Sequence, residues 1–314
     1  MSLTASAKPL TKTKSPFHRM TSSAQVLQHN AEQAASTLPP LLINANRVAA
    51  TVSLGSHGRR RAGPGDTFWQ FRQYSQSDPA YMIDWRQSAK FDHVFVRERE
   101  WDASQTAALW CDCSPSMAFR SSKKVPTKSE RASVIGLGLA SLMVSGGERV
   151  RLLGFEPSAS SGRLALIQMA HNLERSITDQ PASKAPVAQA SLPRHVSVVL
   201  ISDFLFPIEE AERALSSFTG QASSGHLLQI LDPAEESFPY RGRIRFQGME
   251  DEGSLLIERT EDVRKDYIRK MAEHRASLAA LTDRLGWSFS VHHTDKPPHT
   301  ALTALHIRMA EERR

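Results

Sequence analysis

From about residue 106 onward, short apolar runs alternate with longer segments in which apolar residues recur every three or four positions. Short apolar runs are typical of buried strands, and the three-to-four spacing is typical of amphipathic helices. The pattern predicts strands at Thr106–Cys111, Arg149–Phe155, His195–Ser202, His226–Leu231 and Trp287–His292. It predicts helices at Glu130–Val144, Arg163–Leu173, Ile208–Phe218, Asp262–Leu285 and Thr300–Glu311. This alternation predicts an α/β fold with a doubly wound, mostly parallel sheet.

The remaining segments do not continue this alternation. Val94–Trp101 alternates apolar and charged residues, as a half-exposed strand does. Arg243–Phe246 and Ser254–Glu258, joined by a Gly- and acid-rich loop, predict a small hairpin insertion. Thr178–Arg194 is rich in Pro, Ala and Ser and predicts a surface linker. We expect three parts: a disordered basic tail at 1–36, an irregular, partly β arm at 37–101, and the α/β domain at 102–314.

Charge and composition limit the classes of partner. The net charge is +6, but residues 1–64 carry eight Lys and Arg against one Glu, which leaves the remaining body at −1. A nearly neutral body is not expected to bind nucleic acid, although the Arg59–Arg61 cluster leaves phosphate or RNA binding by the arm open. The longest apolar stretch, Val134–Val144, is too short to span a bilayer. Cys111 and Cys113 are too close for a mutual disulfide, which fits a reducing compartment and predicts a cytoplasmic protein.

The candidate chemistry follows two of the predicted strands. Asp112, Ser114 and Ser116 are spaced two apart just past the first strand, and Asp203 follows the strand that ends at Ser202. If these strands are neighbours, the four side chains converge where an open sheet binds ligands. A set of oxygen ligands suits a hard cation such as Mg²⁺ or Mn²⁺. The alternative is a strand-to-helix turn in which Asp112 and Ser114 only cap backbone N–H groups.

Other chemistries have little support in the sequence. No G-x-x-x-x-G-K-[ST] loop is present, so self-contained P-loop ATPase activity is not expected. No G-x-S-x-G nucleophile elbow is present. His292 and His293 are consecutive on a predicted strand, where neighbouring side chains face opposite sides. They therefore make a poor metal pair.

The pattern Asp112-x-Ser114-x-Ser116 with a later Asp203 resembles the metal-ion-dependent adhesion site of von Willebrand factor A domains. Further motifs occur in the order typical of one bacterial family, the domain of unknown function number fifty-eight. They are Phe71-Arg72-Gln73-Tyr74, Asp78, Ile83-Asp84-Trp85, Ser88-Ala89-Lys90, Val96-Arg97-Glu98, Asp112–Met117, Ile201-Ser202-Asp203, Leu231–Glu235, Phe238-Pro239 and Gly286-Trp287.

The resemblance implies a von Willebrand factor A-like fold and a Mg²⁺ or Mn²⁺ site formed by Asp112, Ser114, Ser116 and Asp203. Adhesion sites also commonly use a threonine from a middle loop, and this sequence has no clear equivalent. One of the loop serines would have to replace it. The candidates are Ser158, Ser160 and Ser161.

The family is often encoded beside MoxR-type AAA+ ATPases, which implies a functional partner. We expect a non-enzymatic interaction module that works with such an ATPase or its client protein. The alternative is a metal-dependent hydrolase, phosphoesterase-like, that uses the same Asp/Ser cluster. Nucleic-acid binding through residues 1–64 is the third hypothesis, and it predicts an affinity that falls steeply with salt.

Overall fold

The computed structural model describes residues 39–53, 68–75, 78, 83–91, 93–99, 106–155, 158–179, 192, 196–218, 220–249 and 253–311. At 68–70 and 97–99 it describes the backbone alone. The predicted tail at 1–36, the Arg59–Arg61 cluster and most of the predicted linker lie outside these residues.

The described residues form eight α-helices and nine strands. The helices are α1 Pro40–Ser53, α2 Trp85–Ser88, α3 Lys128–Ser145, α4 Gly162–Asp179, α5 Ile208–Ser216, α6 Pro233–Ser237, α7 Thr260–Arg284 and α8 Pro298–Glu311. The strands are β1 Phe68–Gln73, β2 Phe95–Arg99, β3 Thr106–Cys111, β4 Arg149–Leu152, β5 Val196–Ser202, β6 Ala222–Leu231, β7 Ile244–Gln247, β8 Ser254–Ile257 and β9 Ser288–His293.

A five-stranded sheet lies at the centre, with its strands in the order β4-β3-β5-β6-β9. All of its neighbouring pairs are parallel, so the prediction of an α/β fold with a mostly parallel sheet is confirmed. The chain moves outward from β3 to β4 and then returns to the other side of β3 as β5. The strand order therefore reverses between β3 and β5, and such a switch point is where open α/β sheets bind ligands.

Helices cover both faces of this sheet. One apolar core joins the sheet to α1, α3, α4 and α8, and a second joins the opposite face to α5 and α7. Alternate residues of β3 serve the two cores: Ala107 and Leu109 belong to the first, and Ala108 belongs to the second. Burial on both faces explains why the central strands β3 and β5 are mostly apolar, whereas the edge strands β4 and β9 carry Arg, Ser and His.

Helix α3 is the most deeply buried of the helices, and its sequence explains both its start and its close packing. The side chain of Thr127 accepts a hydrogen bond from the backbone N–H of Glu130, and the carboxylate of Glu130 accepts one from the backbone N–H of Thr127, which completes a capping box. Further along, a Cβ atom on Gly136 would lie 2.6 Å from the Sγ of Cys111 on β3. A glycine at this position therefore lets the helix approach the sheet closely.

The helix α1 was not predicted from the sequence, which indicated an irregular, partly β arm. Its buried side chains include Leu42 and Ala45, and the helix packs on α3 and α8 as part of the main core. The β part of the arm is present as the antiparallel pair β1–β2, and the hairpin insertion is present as β7–β8. Within the described residues, no helix is both long and apolar enough to cross a membrane.

Candidate functional site

Asp112 begins the site at the end of β3. Its backbone N–H donates to the carbonyl of Ile201 at 2.9 Å, which extends the β3–β5 pairing by one residue. Its carboxylate Oδ1 accepts the backbone N–H of Ser114 at 2.8 Å, and Oδ2 accepts the hydroxyl of Ser202 at 2.6 Å. The capping interpretation of Asp112 is therefore correct for one oxygen. Each carboxylate oxygen retains a further lone pair for another ligand.

Ser114 and Ser116 place two hydroxyls beside this carboxylate. Ser114 is buried and precedes a short 3-10 turn at Pro115–Ala118, which fixes the direction of the chain after β3. The two Oγ atoms lie 3.2 Å apart. The spacing of two residues in the sequence thus brings both hydroxyls to one side of the turn.

Asp203 follows β5, the neighbour of β3, and both oxygens of its carboxylate accept hydrogen bonds from the protein. Oδ1 accepts the backbone N–H of Leu205 at 3.2 Å, and Oδ2 accepts the ammonium of Lys128 at 2.8 Å. The next residue, Phe204, has a φ of +50°, a left-handed conformation that non-glycine residues rarely adopt. Residues in such sparsely populated backbone conformations cluster at active sites and ligand-binding sites.

Lys128 is a buried residue of the site that sequence reasoning missed. Its side chain is only 1% exposed, and the Nζ atom contacts Asp203 Oδ2 at 2.8 Å and Glu235 Oε1 at 2.5 Å. Lysine is almost never fully buried without a partner. The capping box at Thr127 and Glu130 indicates that Lys128 is the first residue of α3, but nothing in the local pattern indicates where the side chain points.

Glu235 lies on the short helix α6, between β6 and β7. Its second oxygen, Oε2, accepts the backbone N–H of Asp232 at 2.8 Å as part of a capping box. Asp232 in turn accepts the backbone N–H of Ser121 at 2.9 Å, which ties α6 to the loop after β3. The lysine therefore sits between two acids whose own positions are fixed by backbone hydrogen bonds.

The electrostatics of the site favour a cation. Burial, together with the charge of Asp203, raises the pKa of Asp112 to about 6, against the opposing hydrogen bond from Ser202. Burial also raises the pKa of Glu235, although Lys128 opposes it. For Lys128 burial acts to lower the pKa, but the two carboxylates outweigh it and raise the pKa overall. With three acids ionised and one lysine protonated, these groups sum to −2, the charge that one divalent cation neutralises.

All four predicted site residues line one open cleft of about 560 Å³ at the carboxyl edge of the sheet. Lys128 and Glu235 line it with them, and Gln247, Gly248 and Met249 border it from the end of β7. The expected convergence of Asp112, Ser114, Ser116 and Asp203 is therefore present; cation binding by these residues stays a prediction.

The structure places none of the candidate loop serines in this cleft. Ser160 forms an isolated antiparallel bridge with Val150 on β4, and Ser158 and Ser161 flank it. A substitute for the missing threonine ligand is therefore not found among these serines. What the structure places in the cleft instead is the ammonium of Lys128.

The side chains of the cleft suit a hard cation only if the serine hydroxyls act as ligands together with the carboxylate of Asp112. In the part of the chain that the structure describes, no group of three or more His, Cys, Asp or Glu side chains is arranged to hold a metal ion. Asp112, Ser114 and Ser116 offer a carboxylate and two hydroxyls within one turn, and water completes the octahedron that Mg²⁺ requires. The donor set is weak but chemically suitable, because every donor is oxygen.

The chain is thus an α/β protein with an acidic, oxygen-lined cleft at the switch point of a parallel sheet. It belongs to the family described as protein of unknown function DUF58, whose model matches residues 70–277. It is 26% identical over 259 residues to uncharacterized protein Rv1480 of Mycobacterium tuberculosis, covering 78% of this chain and 80% of that protein. Uncharacterized protein Mb1516 of Mycobacterium bovis matches to the same extent.

Two solved structures resemble the chain more distantly. BatB from Bacteroides thetaiotaomicron is 15% identical, with a TM-score of 0.33, over 66% of this chain and 99% of that one. An aerotolerance-related membrane protein from Bacteroides fragilis is also 15% identical, with the same coverage and a TM-score of 0.35. At such TM-scores the likeness carries no functional implication.

Proposed function

We propose that this protein is a non-enzymatic interaction module with a von Willebrand factor A-like fold, and that its cleft binds a partner through a divalent cation. Asp112, Ser114 and Ser116 would ligate Mg²⁺ or Mn²⁺, with Asp203 beside it. The observation that carries the proposal is the convergence of these oxygens in one open cleft that is lined by more acids than bases. An ion with open coordination positions then accepts a carboxylate from the partner.

The proposed partner is a MoxR-type AAA+ ATPase or the client protein of such an ATPase, in the cytoplasm. This part of the proposal rests on the family resemblance and not on a contact surface. The ATPase would supply ATP hydrolysis, and this chain would supply recognition. A role in assembly or maturation of a protein complex follows from that division of labour.

The experiment is a binding titration between the full-length chain and a purified MoxR-type ATPase from the same organism, in MgCl₂ and in EDTA. Asp112→Asn is the test variant, because it keeps the shape of the side chain while removing the charge. Asp266→Asn is the matched control, since Asp266 is an exposed acid on α7 that pairs with Arg269 on the same helix. We expect binding in MgCl₂ for the unmodified chain and the control, and at least tenfold weaker binding for Asp112→Asn or in EDTA, a change of about 1.4 kcal/mol. Equal binding under all four conditions would refute the cation-bridged interaction.

A metal-dependent hydrolase is the second candidate, and one observation favours it. Asp112 has a pKa of about 6, which is close to the value that a general base requires near neutral pH. The same group is the main proposed ligand, so it cannot readily serve both purposes. Turnover of simple phosphoesters in MgCl₂ that is lost in Asp203→Ala would favour the hydrolase over the interaction module.

A further inference from the structure

Lys128 has no place in the proposed ligand set, yet it is buried among those ligands. Its Nζ atom holds Oδ2 of Asp203, while the backbone N–H of Leu205 holds Oδ1. The same Nζ atom holds Oε1 of Glu235. Both oxygens of Asp203 thus have partners within the protein, although Asp203 lies beside the cleft that would receive the cation.

We propose that Lys128 is a positioning residue that keeps Asp203 and Glu235 from ligating the cation directly, so that the ion is held by Asp112 and the two serine hydroxyls. The inference rests on the proposed function, because it concerns the same site. Its physical basis is the charge on the bound ion. A divalent ion with one carboxylate ligand keeps a net charge of +1 and still attracts a partner's carboxylate, whereas one with two carboxylate ligands is neutral.

The geometry separates the two groups of oxygens. Ser114 and Ser116 place their hydroxyls 3.2 Å from each other, next to Asp112, and each hydroxyl has the other as its hydrogen-bond partner. Asp203 and Glu235 share an ammonium, so an ion bound to either acid would lie beside the positive charge of Lys128. The two donors to Asp112 are the neutral N–H of Ser114 and hydroxyl of Ser202, so an ion bound to Asp112 meets no such repulsion from them. The lysine therefore acts as a fixed internal cation that sets how many acids remain for the divalent ion.

Removing the lysine should therefore strengthen cation binding rather than weaken it. Lys128→Met keeps the length and apolar character of the stem but leaves two buried acids unpaired, which threatens folding. The double variant Lys128→Met/Glu235→Gln avoids this problem and keeps the summed charge of the site at −2, the value in the unmodified chain. The amide that replaces the carboxylate at position 235 can still accept the backbone N–H of Asp232 that caps α6.

The test is a titration of the full chain with Mn²⁺. Binding is measured by calorimetry and by the electron paramagnetic resonance signal of free Mn²⁺. We expect the double variant to bind Mn²⁺ at least tenfold more tightly than the unmodified chain, which corresponds to about 1.4 kcal/mol. Since the summed charge is unchanged, the gain would come from release of Asp203. The single variant Glu235→Gln should bind Mn²⁺ more weakly than the unmodified chain. Asp203 is then the only carboxylate paired with Lys128, and the site has lost one negative charge.

The outcomes separate this inference from the proposed function. If the unmodified chain binds Mn²⁺ and the cooperatively folded double variant binds equally or more weakly, the role of Lys128 is wrong and the proposed function stands. If only the double variant binds, Lys128 has the proposed role but the cation-bridged function fails. If neither binds, both fail. Should the double variant not fold, Glu235→Gln is compared with Glu210→Gln, which removes one negative charge from the same cleft at an acid that is not paired with Lys128. Weaker binding by Glu235→Gln than by Glu210→Gln supports the role of Lys128, and equal or tighter binding overturns it.

Discussion

Asp112→Asn should stabilise the metal-free protein at alkaline pH, although it removes a proposed ligand. Asp112 is buried, and its pKa is about 6 in the folded chain instead of the ordinary 3.8. Each unit of difference corresponds to about 1.36 kcal/mol, so keeping this carboxylate ionised costs the folded state about 3 kcal/mol. The exchange to asparagine removes that cost. The pKa of about 6 already includes the opposing hydrogen bond from Ser202, so the expected net gain is about 3 kcal/mol.

The sign of the pH dependence follows from the direction of the shift. Between pH 3.8 and about 6 the folded chain binds the proton of Asp112 more tightly than the unfolded chain does. The stability of the unmodified chain therefore falls as the pH rises through this window, and the full cost is present above it. The asparagine of the variant does not titrate, so the advantage of Asp112→Asn should be greatest well above pH 6 and should vanish near pH 3.8.

Urea denaturation in EDTA at both ends of this window measures the difference, with Asp266→Asn as a control expected to change little. Adding MgCl₂ well above pH 6 should stabilise the unmodified chain and not Asp112→Asn, because a bound cation offsets the same charge. If Asp112→Asn is no more stable than the unmodified chain well above pH 6, the ionised carboxylate of Asp112 does not destabilise the fold. An advantage of the same size near pH 3.8 would show that it does not arise from the charge of Asp112.

Three further predictions concern the residues around the site and the core. Gly225→Ala should lower the free energy of unfolding by about 1–3 kcal/mol, because the new Cβ would lie 1.9 Å from the indole of Trp287. Urea denaturation measures this change, and an unchanged urea midpoint would contradict the packing of Trp287 on Gly225. Burial lowers the pKa of His292 from 6.5 to about 4, so protonation should cost the unmodified chain about 3 kcal/mol as the pH falls through that range, and His292→Leu should not show this loss. Ser202→Ala removes the hydroxyl that stabilises ionised Asp112, so the pH at which stability changes should move above 6 in the same urea series; a move to lower pH would count against the assigned hydrogen bond.

Local patterns in the sequence determined most of the α/β framework. The apolar run of β3 was predicted with its observed bounds, Thr106–Cys111, and β5 was predicted to within one residue. Burial on both faces leaves such strands few polar positions, so each strand is visible in the sequence as an apolar run. The polar residues that end these runs, Asp112 and Asp203, were identified for the same reason. The helix α1 was missed because it begins within a pair of prolines and its apolar positions acquire meaning only against α3 and α8.

Only the tertiary structure decided the strand order and the charge of the site. Placing β5 beside β3 depends on where the chain returns after β4, which no local pattern specifies. Lys128 is 75 residues from Asp203 and 107 residues from Glu235 along the chain, and a lysine at a helix start is ordinarily solvated. Its burial becomes favourable only when two acids from other elements surround it. The sequence alone thus identified the oxygen ligands that could hold a cation, and the folded chain added an internal cation among them.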